Sequence, residues 1–399
     1  MIARHRNQGL LRGDGERDHR VSPLELFFDL VYVFAVTQLS HLLLEHLDVR
    51  GALQTGMLLL AVWWAWIYTA WTTNWLDPNQ RPVRLMLIGV MAASLIVSAV
   101  LPEAFGERGA IFAVAYVAMQ VGRTLFVVYS TRDHPDLYRN FLRILAWLVF
   151  SGVFWIAGGF ASGTTREVLW LVAVAVDLTA PAAGFFTPGL GRSTTHDWNI
   201  SGEHMAERCQ LFVIIALGES VLVTGATFGD LEFTSVTLAA FVVAFLGSVA
   251  LWWVYFDRSA QAAEEAIAQS DDPGALGRNA YTYMHLPIVA GIIVTAVGDE
   301  LAIAHPLGHA SPETVVTVLG GPALFLAGHA LFKRVVFGIW SVPRLVAIVL
   351  LAIVGIVGRD LAPLALATSA LVILAGISVW DARSEHYRAY VTAHERTAD

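Results

Sequence analysis

The residues best suited to chemistry are ionisable side chains that lie inside apolar segments. They include two carboxylates, Asp29 and Glu219, and two guanidinium groups, Arg123 and Arg208. A charge near the centre of a bilayer costs several kcal/mol, so each one needs a partner, a water-filled cavity or a function. A carboxylate held by an arginine stays ionised, whereas one without a partner is able to exchange a proton near neutral pH. Both outcomes suit proton-coupled transport.

Asp29 lies about six residues into the first apolar segment. At 100° per residue, Glu25, Tyr32 and Ser40 share its helix face, and His41 lies on the flank of that face. The positive end of the helix dipole explains a carboxylate at Glu25, but Asp29 is too deep in the helix for it. We therefore predict that Asp29 binds a substrate or ion, with Tyr32 and His41 beside it.

Glu219 falls near the middle of the seventh apolar segment, eleven residues after Arg208. This spacing puts both side chains on one helix face but three turns apart, so they cannot pair directly. Each needs a partner on another helix, and the centres of opposite sign are Asp29, Asp177 and Arg123. A purely structural network of arginines and carboxylates is the alternative interpretation.

Aromatic and polar side chains complete the candidate set. Trp64 begins a stripe with Tyr68, Trp71 and Trp75 at i, i+4, i+7, i+11 spacing, which is typical of packing between helices or of a cavity wall for an apolar or cationic ligand. The further candidate substrate- or ion-binding residues lie inside apolar segments or at their ends: Trp64, Asn74, Asp177, His285 and His329.

Signatures of enzymes and metal sites are absent from the sequence. There is no G-x-S-x-G or H-E-x-x-H motif, and Cys209 is a single cysteine. Glu203, His204 and Glu207 are crowded at one helix end, which fits a solvated helix start better than a metal site. We predict no cofactor and no metal. The net charge of −8 is spread without acidic or basic blocks, so it indicates no nucleic-acid partner.

The segments that position these residues are long and apolar. The chain has 399 residues, of which 56% are hydrophobic and 15% charged, and its mean hydropathy is +0.60. A bilayer core about 30 Å thick needs roughly 20 apolar residues per helix. The sequence predicts an all-α, polytopic transmembrane helical bundle of about twelve spans: 24–47, 53–76, 82–102, 108–131, 142–161, 166–187, 203–226, 234–257, 279–304, 313–333, 341–359 and 361–381.

Loop charges predict the orientation of these spans. Of the 25 Lys and Arg residues, 19 lie in the N-terminal tail, in or at the edges of the even-numbered loops, or in the C-terminal tail, whereas four lie in or at the edges of the odd-numbered loops. Because Lys and Arg are retained on the cytoplasmic side, both termini are expected to be cytoplasmic. The first 20 residues lack an apolar core, so they are not a cleavable signal peptide.

Matches between the two halves of the chain indicate an internal duplication. Their offsets run from 189 to 206 residues, and one example is Gly122–Phe126 against Gly328–Phe332. Six spans per half insert the same way, so we expect a 6+6 arrangement of parallel repeats related by a pseudo-twofold axis, with a site at their interface. The predicted divisions are a disordered tail (1–20), two six-helix repeats (21–190 and 191–384) and a second tail (385–399).

Motifs along the whole chain resemble those of the bacterial low-temperature-requirement A family. The opening motif is ELFFDLVYVFAVTQLSH at residues 25–41. Further similar stretches are Trp63–Trp66 leading to Asn74 and Asp77, Glu207-Arg208 leading to Gly218-Glu219, His285–Pro287 leading to Gly291, and Gly328–Phe332. The resemblance implies a polytopic protein of the bacterial inner membrane, and it supplies no substrate or reaction.

Three functions remain open at this point. The first is a transporter or ion-translocating protein in which Asp29 and Glu219 titrate or bind ions while Arg123 and Arg208 set their charge or hold an anionic group. The second is an intramembrane enzyme that uses Asp29 and Glu219 as acid and base on a lipid or other apolar substrate. The third is a structural role. The expected partners are the bilayer and a small solute, ion or lipid; homo-oligomerisation is left open.

Overall fold

The computed structural model describes residues 10–12, 20–195, 198, 200–257 and 259–383. Most of the two predicted tails, including all of 385–399, lies outside the described residues. The prediction of an all-α chain is confirmed for the described part. Its helices are α1 (Pro23–Glu45), α2 (Val49–Trp75), α3 (Arg81–Val100), α4 (Gly109–Ser130), α5 (Pro135–Phe160), α6 (Gly163–Ala182), α7 (Gly202–Gly229), α8 (Ser235–Phe256), α9 (Ser259–Ala268), α10 (Pro273–Leu276), α11 (His285–Ala304), α12 (Pro312–Phe337), α13 (Val342–Val357) and α14 (Pro363–Arg383).

Ten helices of the described part are long and apolar enough to cross a membrane. They comprise α1 to α5, α7, α8 extended through α9, α10 extended through α11, α12 and α14. Each of the twelve predicted segments coincides with a helix, but α6 and α13 do not meet the same standard. Helix α6 carries Arg166, Glu167 and Asp177, and the 16 residues of α13 span about 24 Å, less than a bilayer core. The count of twelve spans therefore stays a prediction.

The chain forms two units. The first contains residues up to Cys209 together with Ala268–Arg278, and the second contains Gln210–Ile267 and the residues from Asn279 onward. This division differs from the predicted repeats at 21–190 and 191–384, which remain a prediction. Helix α7 contributes its first residues to the first unit and the remainder to the second.

The first unit is organised around a buried aromatic core. In it, α1 packs against α2 and α3, α4 packs against α3 and α5, and α5 packs against α6. The rings of Tyr116, Trp155 and Trp170 lie in series, with centroids 4.9 and 5.4 Å apart. Trp75 meets Phe141 edge-on at 5.2 Å. The end of the predicted aromatic stripe therefore packs between helices.

Close backbone packing on small residues holds the second unit together. A Cβ atom on Gly291 of α11 would lie 2.3 Å from the backbone nitrogen of Phe325 of α12. Likewise, a Cβ atom on Gly321 of α12 would lie 2.5 Å from the backbone nitrogen of Thr295 of α11. Helices that associate in lipid use small residues in this way, because the backbones then approach closely. This contact sets the relative position of His285 on α11 and His329 on α12.

Large apolar side chains also cover the outside of the helices. Exposed examples in both units include Phe27, Leu85, Val153, Val349 and Val372. Soluble proteins rarely expose apolar surface on this scale, whereas lipid solvates it at no cost. The distribution fits a chain whose helices face a bilayer.

Candidate functional site

The site in the first unit begins with the capping of α1. The Ser22 hydroxyl accepts a hydrogen bond from the backbone N–H of Glu25, and a Glu25 carboxylate oxygen accepts one from the backbone N–H of Ser22. This reciprocal capping box fixes the first turn of the helix. The predicted polar face then runs inward along α1, because Glu25, Asp29, Tyr32 and Ser40 are all buried.

Asp29 and Arg208 form an ion pair inside the first unit. Arg208 Nη2 donates to Asp29 Oδ1 at 2.8 Å, and the two side chains are 0% and 3% exposed. The indole Nε1 of Trp66 donates to the same carboxylate oxygen at 2.8 Å. The guanidinium carbon also lies 5.6 Å from the Trp66 ring and 5.7 Å from the Phe28 ring. Helices α1, α2 and α7 thus each contribute a side chain to one buried centre.

Several polar atoms of this ion pair have no partner among the described residues. Within the part of the chain that the structure describes, nothing hydrogen-bonds to Asp29 Oδ2 or to Nε and Nη1 of Arg208. Buried polar groups in proteins are almost always hydrogen-bonded, and an exception calls for a water, an ion or a functional explanation. The pair therefore has one acceptor and two donor atoms available to a bound solute.

A second charged layer lies one helical turn from the ion pair. Glu25 precedes Asp29 by four residues on α1, and His204 precedes Arg208 by four on α7. His204 Nε2 lies 2.8 Å from Glu25 Oε1, and Arg12 Nη2 donates to Glu25 Oε2 at 2.9 Å. All three side chains are buried or nearly so. Two acidic residues on α1 thus face two basic residues on α7 at matching spacing.

Asn74 fixes the start of α7 and the state of its histidine. Its amide donates to the Ser201 carbonyl at 2.9 Å and accepts from the Ser201 N–H at 2.8 Å. It also donates to His204 Nδ1 at 3.2 Å. Because Nδ1 then accepts, a neutral His204 carries its proton on Nε2, where it donates to Glu25.

The N-terminal tail contributes to this layer. Leu11 forms a bridge with Leu76 at the end of α2, and Arg12 Nε donates to the Thr73 carbonyl at 2.6 Å. Residues 10–12 thus pack on α2, although the whole tail of 1–20 is predicted to be disordered. The rest of that tail, except Arg20, lies outside the described residues.

Other predicted site residues of the first unit lie deeper among the aromatic side chains. Tyr32 contacts the Ser94 hydroxyl at 3.2 Å. The Trp64 indole donates to the Asp177 carbonyl at 3.1 Å, and Trp155 Nε1 donates to Asp177 Oδ2 at 3.0 Å. Asp177 forms no ion pair with a described residue. Its neighbours are therefore neutral indole and hydroxyl groups.

The second unit holds a separate histidine cluster. The Tyr255 hydroxyl lies 2.7 Å from His285 Nε2, while His285 Nδ1 lies 3.1 Å from the Ala280 carbonyl in the π-helical segment Gly277–Met284. His285 Nδ1 is thus the donor, and Tyr255 donates to Nε2. Arg344 Nε donates to His329 Nδ1 at 3.1 Å and Arg344 Nη1 pairs with an oxygen of Asp381 at 2.8 Å. His329 Nε2 has no partner among the described residues.

Glu219 is buried on α7 in the same unit. A second polar group there is formed by Ser220, whose hydroxyl donates to Asp299 Oδ2 at 3.1 Å and lies 2.8 Å from the Ser248 hydroxyl. Ser248 also lines an apolar groove of about 470 Å³ between α7 and α8. The other residues that line the groove are Ile214, Leu217, Gly218, Val221, Leu222, Val249 and Trp252.

The structure brings some predicted residues together and leaves others apart. Asp29 meets Arg208, whereas Arg123 meets neither Asp29 nor Glu219 in an ion pair among the described residues. His41 is exposed on α1 and joins no cluster of described residues. Glu219, His285 and His329 belong to the second unit.

Four buried charged or titratable residues carry little sequence signal. They are Arg12 in the tail, His204 at the start of α7, Arg344 at the start of α13 and Asp299 near the end of α11. Each lies near a predicted loop, where a solvated charge is the ordinary expectation. The i, i+4 spacing of His204 and Arg208, matched by Glu25 and Asp29, is the signal that could have identified His204.

No group of three or more His, Cys, Asp or Glu side chains is arranged to hold a metal ion in the described ranges. Glu203, His204 and Glu207 do not converge on one point. His204 contacts Glu25, and Glu207 instead accepts from the backbone N–H of Val21 at 3.0 Å.

Comparison with known proteins agrees with the motifs. Residues 20–379 match the family model described as bacterial low temperature requirement A protein. An uncharacterized protein of Rhizobium meliloti (strain 1021) is 43% identical over 327 residues, which cover 82% of this chain and 80% of the relative. No solved structure matches the chain. The chain is a polytopic membrane protein and belongs to the bacterial low temperature requirement A family.

Proposed function

We propose that the chain is a transporter or ion-translocating protein in which Asp29 and Arg208 form the ion-binding pair. The observation that carries the proposal is the set of polar atoms on this buried pair to which no described residue hydrogen-bonds. A purely structural ion pair in lipid would be expected to satisfy all of its donors and acceptors, because each orphan costs free energy.

The pair supports coupling between a proton and an anion. Asp29 and an incoming anion compete for the same guanidinium group. A proton on Asp29 removes the charge that holds Arg208, so Nη2 then becomes available beside Nε and Nη1. Proton binding at Asp29 and anion binding at Arg208 therefore favour each other, and this linkage is reciprocal. Such a pair would carry both ions in the same direction.

The layer of Glu25 and His204 is suited to deliver that proton. His204 lies one turn from Arg208 on α7. Its imidazole is able to be neutral or charged, and its Nε2 faces the Glu25 carboxylate. Imidazole and carboxylate groups in series are common in the proton relays of membrane pumps and transporters. Loop charges favour the cytoplasmic side for this end of α1, so we infer that protons exchange with the cytoplasm here.

Internal packing supports the proposed duplication. In the second unit, α11 packs on α12, α12 on α13, α13 on α14 and α14 on α8. The first unit has the same order, in which α3 packs on α4, α4 on α5, α5 on α6 and α6 on α2. The correspondence follows the predicted repeat helix by helix, and we infer a 6+6 arrangement.

The groove between α7 and α8 favours a second candidate function, an intramembrane enzyme. Its walls are apolar, and its residue Ser248 contacts Ser220, which in turn donates to Asp299. The apolar walls suit an acyl chain. Asp299 would take the proton of the Ser220 hydroxyl as its oxygen attacks an adjoining ester, the alcohol would leave with a proton, and water would then hydrolyse the acyl-serine. Incubation of the protein with labelled phospholipid vesicles tests the enzyme function. A labelled cleavage product that the wild type forms and the Asp299→Asn variant does not form would support an enzyme over a transporter.

Proton flux into proteoliposomes tests the transport proposal. Vesicles that contain purified protein and a pH-sensitive dye receive an acid pulse under a clamped membrane potential, with chloride or nitrate as the anion. We expect wild-type vesicles to acidify faster than protein-free vesicles, and Asp29→Asn to remove most of the difference. The rate of acidification with the Glu219→Gln variant tests whether Glu219, in the second unit, belongs to the same pathway.

The matched control is Glu103→Gln, which alters an exposed ion pair with Arg108 at 3.0 Å. This variant should acidify like the wild type. Equal flux in the wild type, Asp29→Asn and Arg208→Gln would refute the assignment of the pair.

A further inference from the structure

We propose that Arg123 is the centre of a separate binding site for a small monovalent anion of the halide class. This site is distinct from the Asp29–Arg208 pair, and an anion could bind to it whether or not that pair transports ions. Arg123 lies on α4, and only 2% of the residue is exposed.

Among the described residues, the guanidinium of Arg123 contacts neutral groups only. Nη1 donates to the Ala65 carbonyl at 3.3 Å and to the Thr69 hydroxyl at 3.1 Å. The guanidinium carbon lies 5.4 Å from the centre of the Tyr68 ring. No carboxylate of a described residue forms an ion pair with it, and Nη2 has no hydrogen-bond partner in the described part.

This arrangement leaves a buried positive charge to which no described residue supplies a counter-ion. Arginine cannot relieve the charge by losing its proton under physiological conditions, unlike a buried lysine or histidine. Arg208, at a comparable burial, does have a carboxylate partner in Asp29. An anion from solution is therefore the missing counterpart of Arg123, and Nη2 is the donor open to it.

The neighbours of Arg123 indicate the charge and size of this anion. Gln120 and Thr124 on the same helix are buried, as are Tyr116 and Tyr32, and all of them are neutral hydrogen-bonding residues. One guanidinium charge balances one negative charge, so a divalent phosphate or sulfate would leave an uncompensated charge in lipid. The close burial of all these side chains favours a small ion.

Gln120 supplies a second available group. Its Nε2 lies 3.2 Å from the Tyr116 hydroxyl, and its Oε1 has no partner among the described residues. The two ends of an amide are nearly alike in shape, so a half-turn lets Tyr116 donate to Oε1 and brings the N–H group to the position that Oε1 now occupies. Gln120 precedes Arg123 by three residues on α4, a spacing that puts both side chains on one helix face, so the proposed anion would take N–H groups from both.

Thermal unfolding in two salts tests the site. Purified protein in detergent is melted in sodium chloride and in sodium gluconate at equal ionic strength, so that screening is the same in both. We expect the wild type to melt at a higher temperature in chloride, with an effect that saturates as chloride rises. Arg123→Gln should lose the difference between the salts. Arg108→Gln, at an exposed arginine, should keep it.

If Arg123→Gln does not fold, an anomalous difference map of bromide tests the proposal instead. Crystals of the wild-type protein grown in bromide should show an anomalous peak within hydrogen-bonding distance of Arg123 Nη2. The absence of that peak would overturn the proposal. So would a wild type that melts alike in chloride and gluconate, or an Arg123→Gln variant that keeps the full chloride effect.

Discussion

The energetic coupling between Asp29 and Arg208 gives the sharpest prediction about stability. The atoms Asp29 Oδ1 and Arg208 Nη2 are 2.8 Å apart, and the side chains are 3% and 0% exposed. Opposite unit charges about 4 Å apart attract by about 4 kcal/mol at an effective dielectric constant of about 20. Removal of one partner from a buried pair typically costs about 3–5 kcal/mol, because the other charge is left uncompensated.

A double-mutant cycle in detergent measures this coupling. Asp29→Asn keeps an acceptor for the Trp66 indole but loses the charge, and Arg208→Gln removes the cation. Each single variant should lose about 3–5 kcal/mol of unfolding free energy, measured by SDS titration with a fluorescence readout. The double variant should lose much less than the sum, with a coupling of at least about 2 kcal/mol.

The exposed pair of Arg108 and Glu103 serves as the matched control. Its side chains are 48% and 51% exposed, so the same cycle should give a coupling of about 1 kcal/mol or less. If the losses at Asp29 and Arg208 simply add, the two groups do not interact as the structure places them, and the ion-pair reasoning is refuted.

Three further variants test neighbouring parts of the account, each by the free energy of unfolding in the same SDS titration. Trp66→Phe removes the indole N–H that donates to the buried Asp29 carboxylate and should cost about 1.5–3 kcal/mol; an unchanged value would contradict the importance of this hydrogen bond. Asn74→Ala removes both hydrogen bonds to the Ser201 backbone and should cost about 1–3 kcal/mol; an unchanged value would contradict its role at the start of α7. Gly291→Leu should destabilise by more than about 3 kcal/mol because its Cβ meets the backbone of α12, whereas Gly89→Leu, at an open position, should stay within about 1 kcal/mol of the wild type.

The helices of this fold are predictable because lipid imposes a simple rule on the sequence. Backbone groups cannot remain unpaired in hydrocarbon, so each long apolar run must be helical. Boundaries such as Pro23–Glu45 against 24–47 differ by only a few residues. The number of crossings is harder to predict, because the charged α6 and the short α13 are helices without a clear apolar span.

The side chains of the site are only partly predictable. Charge inside an apolar segment identifies Asp29 and Arg208 as candidate site residues. Because buried charges need partners, the partner of Arg208 is expected to be Asp29 or Asp177. Sequence cannot choose between them, since that depends on how α7 packs against α1, 179 residues away in the chain. His204 is harder still, because the tail residue Arg12 helps to enclose it.

Arg123 shows the converse limit. Its burial follows from its position in the middle of an apolar helix, and sequence suggests a carboxylate partner for it. The structure instead surrounds it with Thr69, Tyr68 and a backbone carbonyl. Hydropathy reports which residues lie in the membrane, whereas contacts among distant helices decide which charges meet.

An experimental density map of the protein in lipid nanodiscs, at a resolution that shows ordered water, is the most direct test of Asp29 and Arg208 as an ion-binding pair. We expect density for a water molecule or an ion within about 2.7–3.2 Å of Asp29 Oδ2 and of Nε or Nη1 of Arg208. A dry site in which Asp29 and Arg208 form two parallel hydrogen bonds, with no polar atom left over, would contradict it.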